Sequence, residues 1–286
     1  MTTQSPLISV AELQALPSSA VRVLDARWQL GRDDGRERYL AGHIPGAVFV
    51  DVENELAGHG APADGRHPLP SDDVLADAAR RWGLREGVPV VVYDGVGMLA
   101  AARAWWALRR AGFADVRVLD GGWPAWVAAG GASESGDVVV PPGDARLGAL
   151  GDRGAIDIDG AAGWPRKGVL VDVRAAERYR GETEPLDPVA GHIPGAVNLP
   201  ISRLLTVQGT FRPAEEIAEE FTGVGADAGI PIAAYCGSGI TAAEFALAGA
   251  VIGRDVSVFP GSWSSWSNSP GRPVATGPDP QGRADI

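Results

Sequence analysis

Short apolar runs alternate along the chain with segments in which apolar positions recur every three or four residues. The short runs predict buried strands, and the recurring positions predict helices. Because strands that alternate with helices build parallel sheets, the pattern predicts an α/β fold in which mainly parallel sheets are flanked by helices. The predicted strands are residues 21–24, 48–50, 88–93, 116–119, 169–173, 230–235 and 256–259.

The same pattern predicts three of the helices. Residues 71–82 carry their apolar side chains on one face, and a helix that opens at Pro213 turns Ile217 and Phe221 inward. Residues 241–252 are apolar on all sides, which predicts a buried helix. The apolar face of the first helix comprises Val74, Leu75, Ala78 and Trp82.

The order of these blocks occurs twice. The octapeptide AGHIPGAV stands at 41–48 and again, without change, at 190–197. An apolar run ending in Asp-x-Arg precedes each copy, and two further blocks follow each copy in the same order. A repeat of this length is a domain rather than a solenoid unit. We predict one domain over 1–140, a second over 153–286, and a Gly-, Pro- and Ser-rich connection over 130–152.

Composition limits the classes of protein that the chain can represent. Apolar residues form 45% of the 286 positions, and no apolar run approaches the roughly 18 residues of a membrane span. We therefore expect a soluble globular protein, and the lack of a secretory signal at the start favours a cytoplasmic location. The net charge of −11 argues against nucleic acid or an anionic membrane as a partner. An anionic substrate would need specific arginines or helix N-termini.

Cys236 is the single cysteine of the chain, and it directly follows the predicted strand 230–235. One cysteine forms no intrachain disulfide and no cysteine-rich metal site, so we expect a reducing compartment and no metal. Gly237 and Gly239 permit a loop whose N–H groups turn toward the sulfur, and the next helix adds its positive N-terminus. These features favour a nucleophilic thiolate over the alternative, a small buried hydrophobic residue. Asp94 holds the same place in the first half, which predicts an inactive copy.

The two repeated domains, the two HIPGA motifs and the cysteine loop of the second half resemble the two-domain sulfurtransferases of the rhodanese superfamily over nearly the whole chain. The loop CGSGIT is similar to the CGSGVT of 3-mercaptopyruvate sulfurtransferases, with Ile240 for Val. Animal thiosulfate enzymes instead carry two basic residues where this chain has Gly237 and Ser238. The resemblance implies two tandem rhodanese-like domains, of which only the second is catalytic.

The resemblance also implies a reaction. A Cys236 persulfide would carry sulfane sulfur from 3-mercaptopyruvate to cyanide, a small thiol or a thioredoxin-like protein, without metal or organic cofactor. The first alternative is thiosulfate as donor, because many bacterial relatives with this loop are described as thiosulfate enzymes. A second alternative is a noncatalytic sulfur carrier or docking module.

Site residues follow from the resemblance as expectations. A triad of Ser238, His43 and Asp33 would move a proton, with Asp34 competing for the place of Asp33. Arg178 would bind the anionic group of the donor. Main-chain amides of the loop would stabilise the sulfur, and they belong to Gly237, Gly239, Ile240 and Thr241.

Other polar residues receive weaker assignments. Arg180 is a second candidate for the donor, whereas Arg174 is interpreted as a structural partner of Asp172. Where some mercaptopyruvate enzymes carry a further arginine, this chain has Gly42 and Leu186, and Arg103 of the first half is the remaining candidate. Residues interpreted as turn, solvated or packing positions are His59, His67, His192, Trp123, Trp126, Trp263 and Trp266.

Two other enzyme classes fit the loop poorly. A hydrolase elbow of the form G-x-C-x-G would need glycine where Ala234 stands. A phosphatase loop on this fold would end in an arginine, and the chain has none between Cys236 and Arg254.

Overall fold

The computed structural model describes residues 5–148 and 154–282, which divide into two compact units. The first unit contains residues 5–58, 70–148 and 207–211, and the second contains 59–69, 154–206 and 212–282. Residues 59–69 thus lie in the second unit although they belong to the first half of the sequence. Residues 149–152 of the predicted connection, and position 153, lie outside the described residues.

The first unit is built on a sheet whose described strands are all parallel and lie in the order β1-β5-β4-β2-β3. The central strand β4 is buried along its whole length, as expected for a parallel sheet that helices cover on both faces. Its strands are β1 (Leu7–Ile8), β2 (Arg22–Asp25), β3 (Val48–Phe49), β4 (Val90–Tyr93) and β5 (Val116–Leu119).

The helices of this unit follow the predicted pattern with one exception. Ser71 caps a helix at 72–81 with its side chain, but Val74 is 38% exposed, so its assignment to the inner face was wrong. Ala79 is buried there instead. The helices are α1 (Val10–Ala15), α2 (Gly35–Ala41), α3 (Val52–Glu55), α4 (Asp72–Arg81), α5 (Leu99–Arg110) and α6 (Gly122–Ala128).

The second unit repeats the design on a sheet whose described strands are parallel in the order β7-β6-β8-β9. The strands are β6 (Val169–Asp172), β7 (Val197–Asn198), β8 (Ile232–Tyr235) and β9 (Val256–Val258). The helices are α7 (Ile158–Gly163), α8 (Ala176–Tyr179), α9 (Ala214–Gly223), α10 (Ile240–Val251) and α11 (Ser262–Ser267). Short 3-10 turns occur at Ser18–Ala20, Pro62–Asp64, Trp164–Arg166 and Ile201–Leu204.

The Asp-x-Arg repeat has a structural explanation in both units. Asp172 ends β6 and binds the buried guanidinium of Arg174 at 2.6 Å, while the hydroxyl of Tyr235 accepts the N–H of Ile193 at 3.1 Å. These contacts tie the HIPG turn to the strand ends, and they confirm the interpretation of Arg174 as a structural partner. The corresponding residues of the first unit are Asp25, Arg27, Tyr93 and Ile44.

The α/β prediction is confirmed, and most predicted strands are found within two residues of their predicted ends. The repeated tryptophans pack as predicted, since Trp126, Trp263 and Trp266 are buried in the hydrophobic cores. Among the described residues, no helix combines the length and the apolar character needed to cross a membrane.

Candidate active site

The cysteine lies in a short loop between β8 and the buried helix α10 of the second unit. The Sγ of Cys236 accepts the N–H of Gly239 at 3.0 Å, and the hydroxyl of Ser262 lies 3.9 Å from the same sulfur. Gly239 has a φ of 86°, and a side chain there would meet the carbonyl oxygen of Pro260 at 2.2 Å. The position therefore requires glycine, as the sequence predicted from loop curvature.

Only 3% of the surface of Cys236 is exposed, so the sulfur lies at the bottom of the loop. The helix that follows begins at Ile240 with its first N–H groups beside the loop. The sulfur thus lies between the amide of Gly239 and the N-terminal end of this helix. The predicted amide contacts of Gly237 and Thr241 with sulfur remain predictions, as does that of Ile240.

A serine and a histidine meet beside the cysteine. The Oγ of Ser238 and the Nδ1 of His67 are 2.7 Å apart, and both side chains are buried. The segment that carries His67 is fixed against α11, because Ser264 accepts the N–H of Arg66 at 3.0 Å and Ser265 donates to the carbonyl of Ala63 at 2.6 Å. The interpretation of His67 as a solvated turn residue was wrong.

The predicted partner of Ser238, His43, has a different environment. Its imidazole is fully buried in the first unit, stacked on Tyr39 at 4.2 Å, with Nδ1 2.9 Å from the Tyr39 carbonyl. His192 repeats this arrangement on Tyr179 in the second unit. The HIPG histidine therefore packs on a tyrosine in both copies, and the histidine that the structure places on Ser238 is His67.

The carboxylates predicted to orient His43 also have other surroundings. Asp33 is exposed, and Asp34 forms ion pairs with Arg32 and Arg38. The Nδ1 of His43, which such a carboxylate would accept from, already meets a main-chain carbonyl. The catalytic roles of His43 and Asp33 thus stay predictions without a supporting contact.

Two guanidinium groups line the mouth of the cysteine loop. A Cβ built on Gly237 would lie 3.2 Å from Nη2 of Arg66 and 3.5 Å from Nη1 of Arg178. Arg178 is bound by Glu184 at 2.6 Å, and the carboxylate of Asp187 contacts both arginines. Arg178 was predicted at this place. Arg66 was missed, although its position next to a histidine in a polar segment was the available signal.

The remaining predicted arginines lie elsewhere. Arg103 has no exposed surface, and its Nε and Nη2 donate to the carbonyl of Leu56 at 3.2 Å, so a dissolved substrate cannot reach it. The prediction of Arg103 as a substrate contact is corrected on this ground. Arg180 forms a surface ion pair with Glu182.

The corresponding loop of the first unit encloses a carboxylate of its own, that of Asp94. The carboxylate of Asp94, 1% exposed, accepts four main-chain N–H groups at 2.9 to 3.1 Å. Burial raises the pKa of Asp94 to about 6, and the four amides oppose the rise. A loop of this shape therefore holds a negative charge with its own amides. The donors belong to Val96, Met98, Ala100 and Ala101.

Asp94→Asn should destabilise the first unit by about 2–4 kcal/mol, because an amide NH₂ replaces an acceptor and leaves two buried N–H groups unpaired. Chemical denaturation followed by tryptophan fluorescence would measure the change. Asp77→Asn is a matched control, since its exposed carboxylate pairs with Arg80 on the surface of α4 and its loss should cost less than about 0.5 kcal/mol. Equal effects of the two substitutions would contradict the stabilising role of the Asp94 carboxylate in this loop.

Comparison with known proteins agrees with this geometry. The sequence profile of the rhodanese-like domain matches residues 9–129 and 159–269. SseB of Mycobacterium tuberculosis, provisionally named a thiosulfate sulfurtransferase, is 46% identical over 95% of this chain and 97% of its own length. A protein of Pseudomonas aeruginosa, provisionally named a 3-mercaptopyruvate sulfurtransferase, is 41% identical over 96% of this chain and 99% of its own.

Among known structures, SseA of Escherichia coli, described as a 3-mercaptopyruvate sulfotransferase, superposes with a TM-score of 0.81. The identity is 31%, and the match covers 91% of this chain and 99% of that chain.

The parallel sheets, and the loop that places Cys236 between a buried strand and a helix N-terminus, agree with the fold of these relatives. The two profile matches show that the chain belongs to the rhodanese family. Its named relatives are sulfurtransferases, and so is this protein.

Proposed function

We propose that this sulfurtransferase takes sulfane sulfur from 3-mercaptopyruvate as a Cys236 persulfide and passes it to cyanide or a thiol. The observation that supports mercaptopyruvate as the donor is the hydrogen-bonded pair of Ser238 and His67 beside the cysteine. The two candidate donors differ in whether their reaction with the cysteine requires a proton transfer, which is a step that this pair can assist.

The mercaptopyruvate reaction requires a proton transfer. The Cys236 thiolate forms an S–S bond with the donor sulfur, and the donor C–S bond breaks with its electron pair on carbon. The proton of the donor thiol must then reach that carbon, so that pyruvate leaves. A serine hydroxyl backed by an imidazole can accept and return this proton, as general acid–base groups do.

The thiosulfate reaction requires no proton transfer. The thiolate attacks the outer sulfur, the S–S bond of thiosulfate breaks, and sulfite leaves with the electron pair. The Ser238–His67 pair would have no task in this step. Its burial and its short contact therefore support mercaptopyruvate.

The arginine pair supports an anionic donor. The guanidinium groups of Arg66 and Arg178 both lie beside Gly237, where the carboxylate of mercaptopyruvate would be within reach of both. Guanidinium groups bind carboxylates through paired charge-assisted hydrogen bonds. Since the net charge of the protein is −11, a local pair of this kind is what an anionic donor needs.

The comparison that tests the proposal is kcat/KM for the two donors with cyanide as acceptor. We expect mercaptopyruvate to exceed thiosulfate by at least about tenfold, the lower part of the range for general acid–base assistance. A preference for thiosulfate would contradict the proposal.

Thiosulfate remains the second candidate donor. It is favoured by the name of the 46% identical protein SseB, and its sulfonate oxygens could meet the same arginines. A noncatalytic carrier would be recognised by stoichiometric loading without turnover. We also propose a thiol or a thioredoxin-like protein as physiological acceptor, and a reducing compartment such as the cytoplasm, which agrees with the single cysteine.

A further inference from the structure

Six charged side chains of the second unit alternate in sign from the end of β6 to the mouth of the cysteine loop. Successive pairs in this series are joined by ion-pair contacts, with distances such as 2.6, 3.1 and 3.5 Å. We call the series the charge chain. Its members, in order, are Asp172, Arg174, Glu184, Arg178, Asp187 and Arg66.

Asp187 is the carboxylate of the charge chain that the two arginines at the cysteine share. One of its oxygens binds Nη1 of Arg66, and the other lies 3.5 Å from Nη2 of Arg178. Its side chain is 1% exposed, whereas those of Arg66 and Arg178 are 28% and 18% exposed. A buried acceptor thus holds two partly exposed donors that face Gly237.

We propose that Asp187 is a positioning residue that sets the spacing of the two guanidinium groups for the anionic end of the sulfur donor. The inference rests on the proposed function, because it concerns how that donor is bound. Asp187 lies behind the arginines and acts through them, so it should govern donor affinity and leave the sulfur-transfer step nearly unchanged.

Loss of the Asp187 charge would have two opposing effects. The uncompensated arginines would attract anions more strongly, but they would also repel each other. Because both side chains are partly exposed, their charges are screened and can move apart into water. We expect donor affinity to fall, because one small anion must meet both guanidinium groups at once. The lost spacing between the arginines should therefore matter more than their stronger attraction for anions.

The first experiment compares Asp187→Asn with Glu182→Gln in steady-state kinetics. Glu182 is exposed on the same segment and pairs with Arg180, so its substitution removes the same charge away from the site. Asp187→Asn should raise KM for mercaptopyruvate about tenfold with kcat within about twofold, and Glu182→Gln should change neither. An unchanged or lower KM in Asp187→Asn would overturn the proposal.

A second experiment does not depend on sulfur transfer. The rate of Cys236 alkylation by anionic iodoacetate is divided by the rate with neutral iodoacetamide, which cancels changes in thiol access and reactivity. Asp187→Asn should lower this ratio about tenfold, while Glu182→Gln should leave it unchanged. A lower ratio in a protein that forms no persulfide would refute the proposed function but support the role of Asp187.

Arg66→Gln provides a second variant, in case Asp187→Asn fails to fold, and it leaves the carboxylate of Asp187 with its contact to Arg178. It should lower the alkylation ratio by a similar factor, because one of the two guanidinium groups is lost. The double variant should lose clearly less than the two single losses combined, since Asp187 acts in part through Arg66. Full additivity of the two losses would overturn the proposal.

Discussion

Cys236→Ser should abolish sulfur transfer from both donors, with a loss of kcat of at least about 10³-fold. A serine hydroxyl at this position stays protonated at neutral pH, and it cannot carry sulfur as a persulfide does. The measurement is thiocyanate production from cyanide, together with mass spectrometry of the donor-treated protein. The wild type should gain about 32 Da, the mass of one sulfur atom, and the variant should gain nothing.

The control for this substitution is a buried serine nearby. Ser264 is 1% exposed and accepts the N–H of Arg66, so Ser264→Ala probes the packing around the loop without touching the sulfur. We expect it to retain persulfide formation. Persistent turnover by Cys236→Ser would mean that another group carries the sulfur, and the proposed mechanism would fail.

His67→Ala should reduce kcat with mercaptopyruvate by about 10²- to 10³-fold and leave thiosulfate turnover nearly unchanged. The reason is the proton balance of the two reactions: only the carbon leaving group of mercaptopyruvate must be protonated, which is the task assigned to Ser238 and His67. Ser238→Ala should show the same selectivity. Parallel assays of both variants with both donors provide the measurement.

The matched control is His43→Ala, which tests the histidine that the sequence favoured. Its ring is buried on Tyr39 in the first unit, so we expect lower stability and similar losses with both donors. His192→Ala should behave in the same way, because His192 has the same stacking on Tyr179. A loss confined to mercaptopyruvate in His43→Ala would restore the original triad.

The parts of the site that depend on local sequence were predictable. The apolar run before Cys236 predicts a strand, and the glycine at 239 predicts a tight turn after it. Both are found in the structure. The Asp-x-Arg pair was also interpretable, since residues two apart at a strand end can contact each other. Arg178 could be placed because the sequence surrounding it resembles that of known sulfurtransferases.

The parts that depend on long-range packing were not predictable. His67 and Arg66 are 171 residues away from the loop positions that they meet, and a Gly- and Pro-rich segment has no apolar period to show where it packs. Arg103 failed for the opposite reason: its charge suggested a ligand contact, whereas the fold encloses its side chain completely.

Residues 59–69 belong to the first half of the duplicated sequence but lie in the second unit. In the first unit the carboxylate of Asp94 stands where the second unit has its thiol. Yet the segment between α3 and α4 of the first half carries His67, which contacts Ser238, and Arg66, which lies beside Gly237. Deletion of the first half of the sequence would therefore remove His67 and Arg66 from the proposed site of the second unit.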